Sequence, residues 1–360
     1  MRVFLSVASF QPSYGGPARS VSRLATALAE LGIEVGVWAP DQSAADTEFL
    51  DQANGVKRLT GDAAGALAQF GTPDLIHDNG IWLPHNHRLA CLARKHDIPR
   101  VVSIRGMLEP WALRHKRWKK RLAWHAYQQR DLCSASILHA TAASEAGQVR
   151  SLGIKVPVRV ISNGVDLPPA RLDRPKESGI KTALFLGRLH PKKGLPLLVE
   201  AWAKTKPAGW RMRVVGPDEA GHRAEIEALV SRAGLTGEWS FEDSLEGMAK
   251  SQAFDDASLF VLPTHSENFG MAIAEALAHG LPVLTTHGAP WEKLHAEDCG
   301  WWTPVSVDGI SAALAEATNR PVEELQKMGQ HGRLWMQRDF SWTSVAHEMQ
   351  QVYAAMTSAP

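Results

Sequence analysis

Cysteine is scarce in this chain: three residues in 360, Cys91, Cys133 and Cys299, odd in number and far apart. That excludes a disulfide framework and a zinc cage of thiolates, and it fits a reducing compartment. No apolar run approaches the roughly 18 residues that a membrane span needs. The opening MRVFLSVASF is too short and too polar-flanked for a signal-peptide core, so a cytoplasmic location is expected. Charge of one sign is also missing. Lys and Arg number 39 against 38 Asp and Glu, a formal charge of +1, which argues against nucleic-acid binding by the whole chain. Neither half opens on G-x-G-x-x-G, and there is no G-x-x-x-x-G-K-[ST]. A dinucleotide dehydrogenase and a P-loop kinase are thereby set aside. With no Asp-x-Asp and no His/Cys ligand cluster, no metal site is expected. No repeat of solenoid period and no low-complexity tract is found.

What the chain does have is length for about two domains and the composition of a globular protein, 44% apolar and 21% charged. Short apolar runs alternate with helical patterns from the start. Arg2–Ala8 reads as a buried strand, followed by a Gly/Pro loop, a helix carrying Val21, Leu24, Ala25, Leu28 and Leu31 at helical spacing, a stop at Gly32 and a strand over Glu34–Ala39. Further strands are predicted at Leu75–His77, Val101–Ile104 and Ile137–Ala140, and then at Ala183–Leu186, Met212–Val215, Leu259–Leu262 and Val283–Thr285. Strands alternating with helices imply parallel sheets covered on both faces, hence an α/β protein. The polar, Pro-containing stretch 167–181 separates two such halves. A last amphipathic helix carries Trp342, Val345, Met349, Val352 and Met356 on one stripe.

The neutral total hides an asymmetry. Residues 1–166 hold 20 Lys and Arg against 14 Asp and Glu, whereas 167–360 hold 19 against 24. Six of the eight residues from Arg114 to Arg121 are basic. Such a patch speaks to a polyanionic partner or an anionic membrane surface. Trp111, Trp118 and Leu122 beside the basic residues give the pattern of an interfacial helix over 111–124; a solvated helix face with its tryptophans in the core is the plainer alternative.

Two loops carry charged side chains where α/β sheets bind ligands, outside the carboxyl ends of strands. In LFLGRLHPKKG, residues 184–194, a strand ends at Gly187 and a helix follows from Leu195. Arg188 offers a guanidinium fork and Lys193 a point charge for a diphosphate, although solvated basic loops are common. In PTHSENFGMAIAE, residues 263–275, Glu267 lies in a loop and Glu275 about a turn into the next helix. The backbone N–H groups of Phe269, Gly270 and Met271 are free to donate there. The two carboxylates suit a grip on vicinal sugar hydroxyls or an acid/base pair, or Glu275 merely favours the positive end of its helix.

Glu267 and Glu275 form E-x7-E, with GRLHPKKG about 80 residues upstream, NGVD at Asn163–Asp166 and a Gly15–Gly16 loop after the first strand. In this order the four elements resemble the family-4 retaining glycosyltransferases (glycosyl transferases group 1) of the GT-B fold, over essentially the whole chain. The resemblance implies two Rossmann-like parallel-sheet domains facing across a cleft. An acceptor domain would span 1–166, a linker 167–180 and a nucleotide-sugar domain 181–340, with a helix over 341–360 crossing back to the first domain. It implies hexosyl transfer from a UDP-, GDP- or ADP-sugar co-substrate, without metal or other cofactor, to a saccharide or a lipid-pyrophosphate-linked saccharide. The setting it implies is bacterial surface polysaccharide or lipopolysaccharide assembly. By the same resemblance Arg188 and Lys193 hold the diphosphate, and Glu275 accepts from the ribose hydroxyls. Glu267 orients the transferred sugar, helped by the amides from Asn268 through Phe269 and Gly270 to Met271, and Gly15 and Gly16 let backbone approach the diphosphate.

The first half departs from the pattern. Arg105 stands where many relatives have His; it stays protonated and is no base, so it is expected to add charge toward the diphosphate or the acceptor. His77, Asp78 and Glu109 are the candidates for the acceptor side, with a hydrogen-bonded, half-buried imidazole as the alternative for His77. A non-transferring relative such as a nucleotide-sugar epimerase, or a catalytically silent sugar-nucleotide-binding module, are the competing functions.

Overall fold

The computed structural model describes residues 1–51, 54–109, 112–113, 117–169, 179–219 and 221–357. The chain divides into two compact units, Met1–Gly164 with Trp342–Pro360, and Val165–Ser341. Residues 170–178 of the expected linker lie outside the described residues, while Val165 donates its N–H to Phe340 O at 2.8 Å within the second unit.

The first unit is built on β1 (Arg2–Val7), β2 (Glu34–Trp38), β3 (Val56–Leu59), β4 (Leu75–Asn79), β5 (Arg100–Ser103), β6 (Ile137–Ala140) and β7 (Val158–Val160). They form one sheet in the order β3-β2-β1-β4-β5-β6-β7, parallel at every pairing. Alternate residues of β1 feed opposite layers, as the strand period of two requires. Val3, Leu5 and Val7 pack with Val21, Leu24 and Leu28 of the helix Gly16–Glu30 and with Val345, Met349 and Tyr353 of the last helix, Trp342–Thr357. Phe4 turns the other way, toward Trp38, Phe70 and Leu89. Each such buried side chain contributes about 1.5–3 kcal/mol.

The second unit holds β8 (Lys181–Leu186), β9 (Trp210–Val215), β10 (Trp239–Glu242), β11 (Leu259–Leu262), β12 (Val283–Thr286) and β13 (Gly300–Thr303). Its sheet runs β10-β9-β8-β11-β12-β13, again parallel throughout. Both sheets reverse their strand order at the centre, between β1 and β4 and between β8 and β11. Ligands of open α/β sheets bind outside the carboxyl ends of strands at such a reversal.

β4 runs two residues beyond the expected end at His77, and this overturns the acceptor-side reading of His77 and Asp78. Both sit inside the ladder, His77 opposite Leu5 and Val101 and Asp78 opposite Ser6 and Val102, and both are 0% exposed. Asp78 accepts from Ser6 Oγ at 2.7 Å and Asn86 Nδ2 at 2.8 Å. His77 belongs to a buried chain: Tyr353 Oη to His77 Nδ1 is 2.5 Å, His77 Nε2 to Ser103 Oγ 2.7 Å, Ser103 Oγ to His139 Nδ1 2.6 Å, and His139 Nε2 to Ile161 O 2.8 Å. Burial pushes His77 well below the usual imidazole range and His139 down to about 4, so both rings are neutral near pH 7. The Ile161 carbonyl only accepts, which makes His139 Nε2 a donor and Nδ1 an acceptor. The direction then propagates. Ser103 donates to His139, His77 Nε2 donates to Ser103, and Tyr353 donates to His77 Nδ1, fastening the last helix to the sheet's interior.

Candidate functional site

At the centre of the second sheet two loops leave neighbouring strands together. One follows β8 and reaches Gly194; the other follows β11 and ends at Gly270, whose positive φ of 86° starts the helix Met271–Ala278. Backbone sews them to each other: His265 N donates to Lys192 O at 2.8 Å, and Thr264 Oγ1 lies 3.1 Å from the same oxygen. Gly194 has φ +72°, and a Cβ there would stand 2.0 Å from Pro263 O. No residue but glycine satisfies both the conformation and the approach.

This stitching brings Lys193 Nζ to 2.5 Å from Glu267 Oε1, with side-chain exposures of 17% and 13%. Thr264 Oγ1 is 3.2 Å from the same Glu267 oxygen, and Glu267 N donates to Gly288 O at 2.7 Å. Below the loop an aromatic cluster holds it. Phe269 packs on Trp291 and Phe340, Trp335 meets both of those rings, and Trp291 Nε1 donates to Phe269 O at 2.6 Å. Among the described residues the amides of Phe269, Gly270 and Met271 have no acceptor. Glu275 faces Lys250 of the helix Gly247–Asp255, whose Nζ is 2.7 Å from each of its carboxylate oxygens.

Arg188 does not join Lys193. Its side chain is 63% exposed and pairs with Glu219 at 2.7 Å, so the two expected diphosphate ligands take different carboxylates. An exposed pair of this kind is worth about 0–1 kcal/mol. In the first unit, Gly15 has φ +80° and precedes the helix from Gly16; a Cβ on either glycine would meet nothing within 4 Å. Arg105 is turned into its own unit rather than outward: it donates to Asn79 Oδ1 and Asn163 Oδ1 at 2.7 Å each and to Ser20 Oγ at 3.2 Å. Burial lowers it to about 10, still protonated at neutral pH. Its φ of +57° is unusual for a side chain of that size. Glu109 is 6% exposed in the turn after β5. Trp111 and residues 114–116 lie outside the described residues. In the helix Arg117–Ala123, Trp118 and Leu122 are 69% and 67% exposed, one turn apart on one side, whereas Lys120 turns in to Ala112 O at 2.6 Å.

Sequence reasoning did not find Lys250 or Glu219. Neither belongs to a motif, and each is revealed only by the partner it meets across the fold. A hollow of about 240 Å³ lined by Thr182, Arg211, Arg213, Ser240, Glu242 and Asp256 lies apart from these loops, and Arg213 is taken there by Glu242 at 2.7 and 2.8 Å. Among the described residues no three His, Cys, Asp or Glu come together as a metal-binding group, and no helix is long and apolar enough to cross a membrane.

Two family models match in succession: a glycosyl transferase 4-like domain over residues 15–164 and glycosyl transferases group 1 over residues 170–335. The chain belongs to the group 1 glycosyltransferases. Mycobacterium tuberculosis glycogen synthase is 25% identical to this glycosyltransferase over 99% of the chain and 95% of the relative. The GDP-mannose:cellobiosyl-diphosphopolyprenol alpha-mannosyltransferase of Xanthomonas campestris is 26% identical over 70% of the chain and 65% of the relative. In fold the glycosyltransferase is similar to a sucrose-phosphate synthase from Thermosynechococcus elongatus (TM-score 0.76, 20% identity, 100% of both chains). It is likewise similar to Anabaena HepE in complex with UDP and glucose (TM-score 0.72, 18% identity, 99% and 100%). With its seven- and six-stranded parallel sheets, it has the two Rossmann-like domains of the GT-B fold.

Proposed function

We propose that this glycosyltransferase moves a hexose, with retention at the anomeric carbon, from a UDP-, GDP- or ADP-sugar to a saccharide or lipid-linked saccharide in surface polysaccharide assembly on the cytoplasmic side of the membrane. The observation that carries the reading is the Lys193–Glu267 pair at the strand-order reversal, beside the unpartnered amides of the Phe269–Met271 turn. The relatives that use GDP-mannose and the neighbour holding UDP and glucose support a nucleotide sugar as donor.

In this reading the donor's diphosphate meets Lys193 and Arg188, each released from its carboxylate, while Glu267 is freed to accept from the sugar's hydroxyls. The anomeric carbon–oxygen bond breaks with its electron pair leaving on the phosphate oxygen, as positive charge develops on the ring. The acceptor hydroxyl bonds to that carbon on the face the phosphate leaves, and its proton passes to the departing phosphate. Cations aimed at that oxygen stabilise the transition state beyond the ground state, which is what accelerates the step. A thermal-shift screen of the whole chain against UDP, GDP, ADP and their sugars tests the donor half of the reading. One nucleotide series stabilises by about 2.7 kcal/mol at a hundredfold excess over its Kd; no shift with any of the three removes the reading.

The exposed Trp118 and Leu122, with Arg117, Lys119 and Arg121 exposed around them, favour a membrane-borne acceptor. Each basic residue at an anionic leaflet is worth about 1 kcal/mol. Replacing Trp118 and Leu122 by Ser and the three basic residues by Gln is expected to abolish co-sedimentation with phosphatidylglycerol vesicles at low salt. Undiminished sedimentation of that variant rejects the membrane contact.

A further inference from the structure

The first unit holds a nucleophile, a base and a carboxylate in line, away from the loops described above. Cys91 lies in the middle of the helix Pro84–His96 and is half-buried. Its four neighbours on the helix surface, three and four residues away on either side, are His87, Arg88, Arg94 and Lys95, all basic. Two of them reach the sulfur: His87 Nε2 is 3.7 Å from Cys91 Sγ, and Arg94 Nη2 donates to it at 3.2 Å. Asp131, in the short helix Gln129–Cys133 and 3% exposed, orients both. His87 Nδ1 stands 2.6 Å from Asp131 Oδ2, and Arg94 Nη1 donates to Asp131 Oδ1 at 2.9 Å.

An ionised carboxylate only accepts, so His87 carries its proton on Nδ1 and, in the neutral ring, turns a bare Nε2 to the thiol. Tyr127 packs on that imidazole with ring centroids 4.9 Å apart and keeps it in place. A base thus faces the nucleophile and a third group orients the base, the arrangement that activates a thiol. The guanidinium gives the sulfur a donor as its proton leaves. Acyl transfer does not fit, because a sulfur in mid-helix has no free backbone amides beside it to hold an oxyanion. A metal does not fit either, since Arg94 bonds both Asp131 and the sulfur and fills the space between them.

We propose that Cys91 is a site of reversible S-thiolation, taking one half of a small anionic disulfide of the glutathione type. His87 Nε2 takes the proton of the Cys91 thiol as the sulfur attacks the disulfide R–S–S–R. The bond Cys91 S–S–R forms, the S–S bond of the reagent breaks, and its electron pair leaves on RS⁻, which takes the proton from His87 and departs as RSH. Attack by free RSH on the mixed disulfide restores the thiol. Arg88 and Lys95, both exposed beside the sulfur, draw the carboxylates of the reagent.

The other two cysteines are internal controls. Cys133 is more open to solvent than Cys91, yet its sulfur has no hydrogen-bonding partner among the described residues. Cys299 is 0% exposed, and burial pushes its thiol up to about 12. Exposure alone would therefore rank Cys133 first, whereas the His87–Asp131 and Arg94 contacts rank Cys91 first.

The test is incubation of the full chain with oxidised glutathione at pH 7, with the modification of each cysteine followed by peptide mass spectrometry in the wild type, His87→Asn and Arg94→Gln. Because a free thiol is only about a few per cent ionised at that pH, activation is expected to make Cys91 about tenfold faster than Cys133. Cys299 stays unmodified, and dithiothreitol removes the adduct. Each variant is expected to bring Cys91 down toward the rate of Cys133 while Cys133 itself is unchanged; a cluster that merely held the helices together would, once loosened, speed the other thiols as well. With cystamine, a cationic disulfide, the lead of Cys91 is expected to narrow, and an undiminished lead overturns the choice of an anionic reagent. Cys133 reacting as fast as Cys91 in the wild type overturns the proposal, as does an unchanged Cys91 rate in either folded variant. Modification of Cys299 marks a variant as unfolded, and the wild-type order and the other variant then decide.

Discussion

Replacing Lys193 by alanine is expected to lower kcat/KM for sugar transfer by about 10²–10³-fold, the scale on which a single transition-state donor is worth its place, while the melting temperature shifts by no more than about 5 °C. The size follows from what surrounds the ammonium. Its partner Glu267 is 13% exposed, so the alanine variant removes the cation that the proposed function assigns to the departing phosphate and leaves a largely buried carboxylate without its partner. The second effect makes the two positions interdependent. Glu267→Ala alone strands the lysine and, on the proposed function, loses the grip on the sugar, and the double variant is expected to lose less than the product of the two single losses, as for residues acting as a unit. Initial rates with the donor found by thermal shift decide the matter: near-wild-type turnover in Lys193→Ala removes that residue from the reaction.

Gly194→Ala is expected to cost at least about 3 kcal/mol, from a left-handed backbone conformation together with overpacking, and to abolish transfer. The added Cβ would stand 2.0 Å from Pro263 O and 3.0 Å from Pro263 C. The loops after β8 and β11 must then part, taking Lys193 from Glu267. Gly209 supplies the control. Its φ of +74° matches that of Gly194, yet a methyl added there would meet nothing within 4 Å, so Gly209→Ala isolates the conformational cost. Urea unfolding of the two variants separates the effects, and equal losses would show that the close approach is not what Gly194 serves.

The sequence disclosed the strands in a revealing order. Every interior strand is legible at least in part, because a strand flanked on both sides and covered on both faces tends to carry an apolar run, as in LFVL of β11 and ALFL within β8. The four strands that escaped, β3, β7, β10 and β13, are the outermost strands of the two sheets. Their residues, VKRL, VRV, WSFE and GWWT, mix charge, polarity and partial exposure and give neither a run nor a clean alternation. The site was legible to the extent that it is a motif. Lys193 and Glu267 were singled out separately, and the fold makes them partners. Lys250 had no signature because its significance lies in a contact with Glu275, 25 residues away in sequence. A strand ending at His77 puts that residue too near the surface; histidine and aspartate resemble loop residues, and only the ladder with β1 and β5 shows them to be interior.

The last helix has a consequence for anyone dividing the molecule. The chain leaves the first unit at Gly164 and comes back to it at Trp342, so a cut after Gly164 yields a fragment without the apolar lid that Val345, Ala346, Met349 and Tyr353 provide, and with the imidazole of His77 deprived of its phenol. A self-sufficient first unit needs residues 342–357 tethered back onto it. Chimeras that trade second units between relatives must be spliced at two junctions, near 164 and 341, rather than at one.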